Sequence, residues 1–443
     1  MTVVLSVERG GSFVQAMPAR ESSSTVKSCG IAAHAEREFY KDFVDQIARS
    51  LLHGATNSQD GILWLSIPEQ GAPEETQNFY DGNAGIAYFL LKAYVATGER
   101  GDLNAAKKAL DHMWARTKRD RNGVYFDEAV NGLFEGNAGP AYVFLYAYHV
   151  TGQHKYLKQS IELAARMLKV PDTGEKGSTD IISGAAGAGL FLLKLHEVTR
   201  DRDYLQGAQG LGDFLINKAE LTGEGAKWPL FWRESGHTGH YPGFSHGVAG
   251  IGYYLSRLSL ASKDPRFAEY AEKAQRYLED IAVNENDVAK WYTDEDKFKA
   301  RFPAQWCHGA GGMNPFFVER FRTTGNEAGL NWAKRGTGYM LNRGLAAQQN
   351  ASVCHGVSGN AASLLSVYRE TCDPRYAEEI RAAVTLLNET AKRNGESIDW
   401  ESPRFKTDFS YMTGIAGVGD FFILLSSDGK QNMMMGLGYG DDF

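Results

Sequence analysis

The chain has 443 residues, a formal net charge of −7 and 23% charged residues, a balance that argues against non-specific nucleic-acid binding or docking on an anionic membrane. Hydrophobic residues at 43% and aromatics at 12% suffice for a large core, yet no run approaches the roughly 20 apolar residues that span a bilayer. Four widely spaced cysteines predict a reducing, cytoplasmic setting rather than a disulfide framework.

Residues 1–35 are rich in Ser, Gly and Ala without a sustained period and read as a loose N-terminal arm, with no secretory signal. A helical pattern begins at Glu36 and runs through Phe43, Val44, Ile47, Ala48, Leu51 and Leu52. A repeat then dominates the chain. Gly-x-x-Gly recurs seven times, with its first glycine at Gly82, Gly136, Gly184, Gly247, Gly309, Gly356 and Gly414. The intervals of 54, 48, 63, 62, 47 and 58 residues each hold two helices and their loops.

Most copies are followed by a run that is apolar nearly all round, such as Ile86–Val95, Ile251–Leu260 and Val418–Leu425, as expected of helices buried on every side. Amphipathic stretches lie between the copies: Leu103–Arg116, Tyr156–Leu168, Phe267–Ile281 and Tyr376–Lys392. The first glycine of each turn either adopts positive φ or admits close backbone approach, and the second removes a side chain where inner helices crowd. Seven helical hairpins can stack openly or close on themselves, and an open stack needs polar caps at both ends. The last inner helix is strongly apolar and requires a partner, so the expectation is an all-α fold, an α/α toroid of seven hairpins over residues 36–426. Residues 427–443 read as a tail.

The fifth and sixth copies carry chemistry. Trp306-Cys307-His308-Gly309 and Val353-Cys354-His355-Gly356 set two thiols and two imidazoles in one local frame, 47 residues apart. Zinc takes Cys and His in a tetrahedral shell, and a catalytic site leaves one position open. Cys307, Cys354 and one His would fill three positions, provided the fold brings the turns together. Cys29, in the arm, and Cys372, after the sixth inner helix, stand outside this constellation.

Seven glycine-containing turns with Trp-Cys-His-Gly in the fifth and Cys-His-Gly in the sixth resemble the lanthionine synthetase C (LanC) proteins. The resemblance implies a zinc-dependent cyclase that adds peptide Cys thiols to dehydroalanine or dehydrobutyrine, forming thioether rings on a dehydrated precursor peptide. It implies zinc ligands at Cys307, Cys354 and His355, an Asp at Asp180 of the third turn and a His at His246 of the fourth. The residue after the first ligand Cys is Tyr in some members and His in others; here it is His308. Gly311 departs from the Pro of many members.

The implied chemistry is consistent with the side chains. A thiolate is the nucleophile, and zinc coordination deprotonates a bound thiol. Addition to the β-carbon leaves an enolate that needs an acid, for which His246 and His308 are candidates. Asp180 is suited to fixing the tautomer of His246 or favouring its imidazolium. No dehydratase segment is visible, so a separate partner would supply dehydrated residues. Three other readings stand beside this one: addition of glutathione instead of a tethered Cys, a non-catalytic zinc-containing toroid that holds a peptide, and a glycosidase using Asp81, Glu135 or Asp180.

Overall fold

The computed structural model describes residues 29–66, 72–232, 236, 238–295, 301–345, 350–400, 408–427 and 431–434. Most of the expected N-terminal arm and most of the expected tail lie outside them. Among the described residues the helices are α1 (His34–Gly54), α2 (Asn83–Thr97), α3 (Arg100–Ala115), α4 (Ala138–Thr151), α5 (His154–Lys169), α6 (Ala185–Thr199) and α7 (Arg202–Lys218). They continue as α8 (Val248–Ser262), α9 (Pro265–Ile281), α10 (Ala310–Thr324), α11 (Glu327–Arg343), α12 (Val357–Thr371), α13 (Pro374–Thr390) and α14 (Ile415–Ser426).

The even-numbered helices form the inner layer. Each packs against the next, and α14 packs against α2, so the ring is closed. The odd-numbered helices form the outer layer, each pairing with the inner helix before it; α1 pairs with α14. The seventh hairpin is thus assembled from two segments at opposite ends of the described chain. This is the α/α toroid expected from the sequence.

Local chemistry explains the helix ends. Asp201, Asp264, Asn326 and Asp373 cap α7, α9, α11 and α13 by accepting from the backbone two residues on. Pro265 and Pro374 occupy the first helical positions, where no N–H is needed. These Asp-Pro starts set the helices two residues earlier than hydrophobic periodicity indicates. Gly98 and Gly152 end α2 and α4 in the left-handed region, at φ of 83° and 66°.

The second glycine of each turn has a steric cause. A Cβ on Gly85, Gly250 or Gly359 would overlap the carbonyl oxygen of the residue six positions earlier, and the same overlap recurs in all seven copies. The turn doubles back under its own helix there, and only glycine fits. The first glycine is mainly a close-approach position; positive φ occurs at Gly136 and Gly309.

Short antiparallel hairpins, absent from the sequence-based expectation, follow five of the outer helices. They are β1 (Thr56–Asn57) with β2 (Ile62–Leu63), β3 (Lys118–Asp120) with β4 (Gly123–Tyr125), β5 (Glu220–Thr222) with β6 (Gly225–Lys227), β9 (Val283–Glu285) with β10 (Val288–Lys290) and β11 (Lys392–Asn394) with β12 (Ser397–Asp399). A further hairpin, β7 (Pro229–Phe231) with β8 (Thr238–His240), rises before the fourth turn. Four of these segments end in a tryptophan. Trp64, Trp228, Trp291 and Trp400 each donate an indole hydrogen bond of 2.7–2.8 Å to the leucine carbonyl thirteen residues earlier, at the end of the outer helix. The indole satisfies a helix-terminal carbonyl and fills the space beneath the hairpin.

Two features tie the ring at its seam. Lys92 of α2 and Asp420 of α14 form an ion pair with both side chains at 0% exposure; Tyr411 donates to Asp420, and Lys92 also donates to the Asn432 carbonyl. Removing one member of such a pair strands the other charge in the core. Lys92→Met is therefore expected to cost about 3–5 kcal/mol in urea unfolding, and Lys92→Met with Asp420→Leu to recover most of it. A loss below about 1 kcal/mol for the single variant would exclude the pair as a closure element.

The second tie corrects the sequence reading. Cys29 and Cys372, expected to be unrelated and reduced, are joined in a disulfide, Cα atoms 5.6 Å apart across 343 residues of chain. The segment before α1 lies against α12 and α13: Gly30 O accepts from Tyr368 Oη at 3.3 Å, and Ile31 O from Arg381 Nη2 at 3.1 Å. Ile31 is buried. Residues 29–33, assigned to the loose arm on composition, thus pack on the toroid. Only ring closure brings these distant cysteines together, so spacing along the chain could not reveal them.

Candidate metal centre and acid–base pair

The seven turns meet at one end of the toroid. Residues two positions before each first glycine link their backbones in sequence. Tyr80 N–H donates to Phe134 O at 3.0 Å and Phe134 N–H to Ile182 O at 3.1 Å; Ser245 N–H donates to Cys307 O at 3.3 Å and Cys307 N–H to Cys354 O at 3.1 Å; Cys354 N–H donates to Met412 O and Met412 N–H to Tyr80 O, both at 2.9 Å. Between the third and fourth turns the connection runs through side chains, Asp180 to His246. This ring places Cys307 and Cys354 on adjacent turns, as the sequence expectation requires.

The sulfurs of Cys307 and Cys354 and a ring nitrogen of His355 lie within 4.8 Å of one another. A tetrahedral zinc with sulfur ligands at about 2.3 Å separates its donors by about 3.8 Å, so the cluster has the size and donor chemistry that zinc needs. Both cysteines are buried, and His355 is half-buried. Hydrogen bonds from Cys307, His355 and Tyr80 hold Cys354 well below the usual thiol range despite its burial, whereas the Cys354 contact and burial push Cys307 up. These donors thus favour the thiolate at Cys354 over the thiolate at Cys307.

Beside this cluster sits the acid–base pair. Asp180 is 1% exposed. Its Oδ1 accepts from Ser178 Oγ and Ser183 N–H at 3.1 and 3.0 Å, and its Oδ2 lies 2.6 Å from His246 Nδ1. That bond fixes the imidazole and leaves Nε2 as the atom that exchanges a proton. Burial works against the His246 imidazolium, but the hydrogen bond and charge of Asp180, with Glu135 adding, outweigh it and raise the pKa above its ordinary value.

His308 behaves differently. Its ring centroid is 5.9 Å from that of His246, nearly parallel to it. Burial, reinforced by the positive charges of His246 and Arg301, pushes its pKa down to about 3. Its buried Nδ1 has no hydrogen-bond partner among the described residues. Burial thus favours the neutral imidazole at His308, whereas Asp180 favours the imidazolium at His246.

Further residues close in on this pair. Trp232 packs against His246 at 4.9 Å between ring centroids, Tyr241 lies 6.0 Å from His308, and Trp232 Nε1 donates to Tyr241 Oη at 3.2 Å. Glu135 accepts from Ser183 Oγ at 3.0 Å, and burial raises its pKa. Tyr80 Oη donates to Cys354 Sγ at 3.0 Å. Sequence reading assigned none of these four to the thiol chemistry. Aligning the seven copies on their first glycine would have found two: Tyr80 stands where Cys307 and Cys354 stand, and Glu135 where His246, His308 and His355 stand. His240, at the end of β8 before the fourth turn, pairs with Glu220 at 3.0 Å.

A closed helical toroid whose turn face gathers a Cys–Cys–His cluster and a buried His–Asp pair defines a narrow class of proteins. The sequence matches the family model of lanthionine synthetase C-like proteins over residues 73–435, and the chain belongs to that family. It is 24% identical over 349 residues to glutathione S-transferase LANCL1 of Danio rerio, spanning 76% of this chain and 82% of that protein. It is 25% identical over 384 residues to lacticin 481/lactococcin biosynthesis protein LcnDR2 of Lactococcus lactis subsp. lactis, spanning 82% of this chain and 38% of that longer protein. Among solved structures, nisin cyclase superposes with a TM-score of 0.60 at 16% identity, over 79% of this chain and 88% of its own, a likeness of fold. No helix among the described residues is long and apolar enough to cross a membrane.

Proposed function

We propose that this chain is a zinc-dependent cyclase that adds cysteine thiols of a dehydrated precursor peptide to dehydroalanine or dehydrobutyrine, forming thioether rings. The observation that carries this reading is the convergence of the Cys307, Cys354 and His355 donor atoms within 4.8 Å, beside a histidine whose proton is held by a buried carboxylate. Zinc, when bound, supplies Lewis acidity that keeps an incoming thiol in its nucleophilic thiolate form.

The remaining work falls to the chain's own side chains. Cys307, Cys354 and His355 would hold the metal and leave a position open for substrate sulfur. Attack of that sulfur on the β-carbon forms the C–S bond and moves the alkene electrons onto the adjacent carbonyl as an enolate. His246, protonated at Nε2, gives its proton to the α-carbon, and Asp180 keeps the imidazolium favourable until that moment. His308, neutral, is suited to donating a hydrogen bond to the enolate oxygen. Trp232 and Tyr241 exclude water from one side of the pair. A separate dehydratase supplies the unsaturated residues.

The likeness to LANCL1 supports a second reading, in which glutathione is the thiol. One experiment separates the two. A dehydrated peptide with a tethered Cys is incubated with the zinc-loaded protein and glutathione, and products are resolved by mass with free thiols counted by alkylation. The cyclase reading expects loss of the peptide thiol without a change in mass. A mass gain of one glutathione with the peptide thiol intact favours the second reading, and zinc retention with neither reaction leaves a binding module.

A further inference from the structure

A centre that adds one thiolate to an electrophile has a selectivity problem of its own. With a metal bound, Cys307 and Cys354 would both be thiolate ligands at the same site, and either could add to the unsaturated residue in place of the substrate sulfur. Such an addition would form a C–S bond from the enzyme sulfur to the β-carbon, the α-carbon would take a proton, and the ligand would become a thioether that can no longer hold the metal as a thiolate. The structure treats the two sulfurs unequally. Cys354 Sγ receives the phenol hydrogen of Tyr80 at 3.0 Å, whereas Cys307 Sγ has Gln305 Oε1 at 4.0 Å, an acceptor that offers a thiolate no hydrogen.

The position of Tyr80 is fixed by the backbone ring. Its N–H is bonded to Phe134 O and its carbonyl to Met412 N–H, while Met412 O accepts from Cys354 N–H. Two consecutive ring links therefore set the distance between the first turn, which carries the phenol, and the sixth, which carries the sulfur. Tyr80 is the first-turn equivalent of Cys307 and Cys354 themselves, two residues before the turn glycine. A hydrogen bond to a charged sulfur withdraws electron density from its lone pairs and is among the stronger hydrogen bonds in a protein.

We propose that Tyr80 is a positioning residue of this centre that, through its hydrogen bond to Cys354 Sγ, suppresses addition of that sulfur to the electrophile and reserves the reaction for the incoming thiol. The inference rests on the thiol-addition reading above.

The test uses the full chain with Tyr80→Phe, which removes only the hydroxyl. Metal-free and zinc-loaded wild type and variant are treated with N-ethylmaleimide, and adducts at Cys354 and Cys307 are quantified by peptide mass mapping. The expected result is a rise of about tenfold in the Cys354-to-Cys307 adduct ratio, the scale of one hydrogen bond to a charged group. A second readout is the sulfur-to-metal charge-transfer band of the cobalt(II)-substituted protein. It is expected to move to lower energy in Tyr80→Phe and to higher energy when 3-fluorotyrosine, a stronger donor of nearly the same shape, replaces Tyr80. An unchanged adduct ratio in a folded Tyr80→Phe, or a band that 3-fluorotyrosine leaves in place, would overturn the proposal. A wild type that takes up neither zinc nor cobalt would sink the metal reading instead, and the adduct ratio of the metal-free protein, taken at a pH where its alkylation rate has reached a plateau so that the thiolate fraction is constant, would still decide the role of Tyr80.

Discussion

Cys354→Ala is expected to emerge from purification with almost no zinc, against about one equivalent per chain in the wild type. The donor set in the structure comprises two sulfurs and one imidazole nitrogen, so loss of Cys354 leaves two ligands. Weakening a residue that merely supports a ligand costs 10–100-fold in metal affinity, and deleting a ligand should exceed that range. The fold should survive, because Cys354 enters the backbone ring through its N–H and carbonyl, which alanine retains. Cyclisation should fall to the uncatalysed rate. Elemental analysis of Cys354→Ala and Cys307→Ala decides the matter, and full zinc retention in both would refute the assignment. Cys29→Ala, which opens the distant disulfide, serves as the control that keeps its zinc.

The second large effect belongs to His246. Its alanine variant should keep zinc, since His246 lies outside the donor cluster, yet lose ring formation by roughly 10²–10⁴-fold, the usual contribution of a positioned acid or base. His308→Ala should also keep zinc and lose less, because a neutral imidazole offers a hydrogen bond but no acidic proton. The pH profile provides an independent check. A pKa raised by Asp180 keeps His246 protonated above the ordinary histidine range, so activity that needs the acid form declines only as pH rises through that raised value. Asp180→Asn removes the negative charge and should move this alkaline limb to lower pH. Wild-type rates in zinc-loaded His246→Ala, or an unmoved limb in Asp180→Asn, would remove the acid role.

The toroid could be read from the sequence because its cause is periodic. A glycine is demanded wherever a turn folds beneath its own helix, as Gly85, Gly250 and Gly359 show, and seven repeats of one steric demand leave a visible spacing. The proposed ligands were legible for the same reason, since Cys307 and Cys354 occupy one register of the repeat. Other features depend on contacts that no local pattern encodes. The Cys29–Cys372 bond joins segments that meet only when the ring closes. The division of labour between His246 and His308 follows from one having a carboxylate at 2.6 Å while the other has been stripped of water beside a cation. The tryptophan at a fixed thirteen-residue offset was visible in principle, but its meaning lies in a carbonyl that the sequence does not mark.

The pairing of α1 with α14 has a consequence for biogenesis. Most hairpins of the ring are local and can form as soon as their residues leave the ribosome, but the seventh joins elements separated by almost the whole chain, a contact of the highest sequence separation and hence the slowest to find. Met412, from the last turn, bridges Tyr80 and Cys354. The sulfur cluster therefore acquires its final geometry only after α14 docks. Before α14 docks, the six local hairpins would form an open arc, and the donor cluster of Cys307, Cys354 and His355 would be complete only once the ring closes.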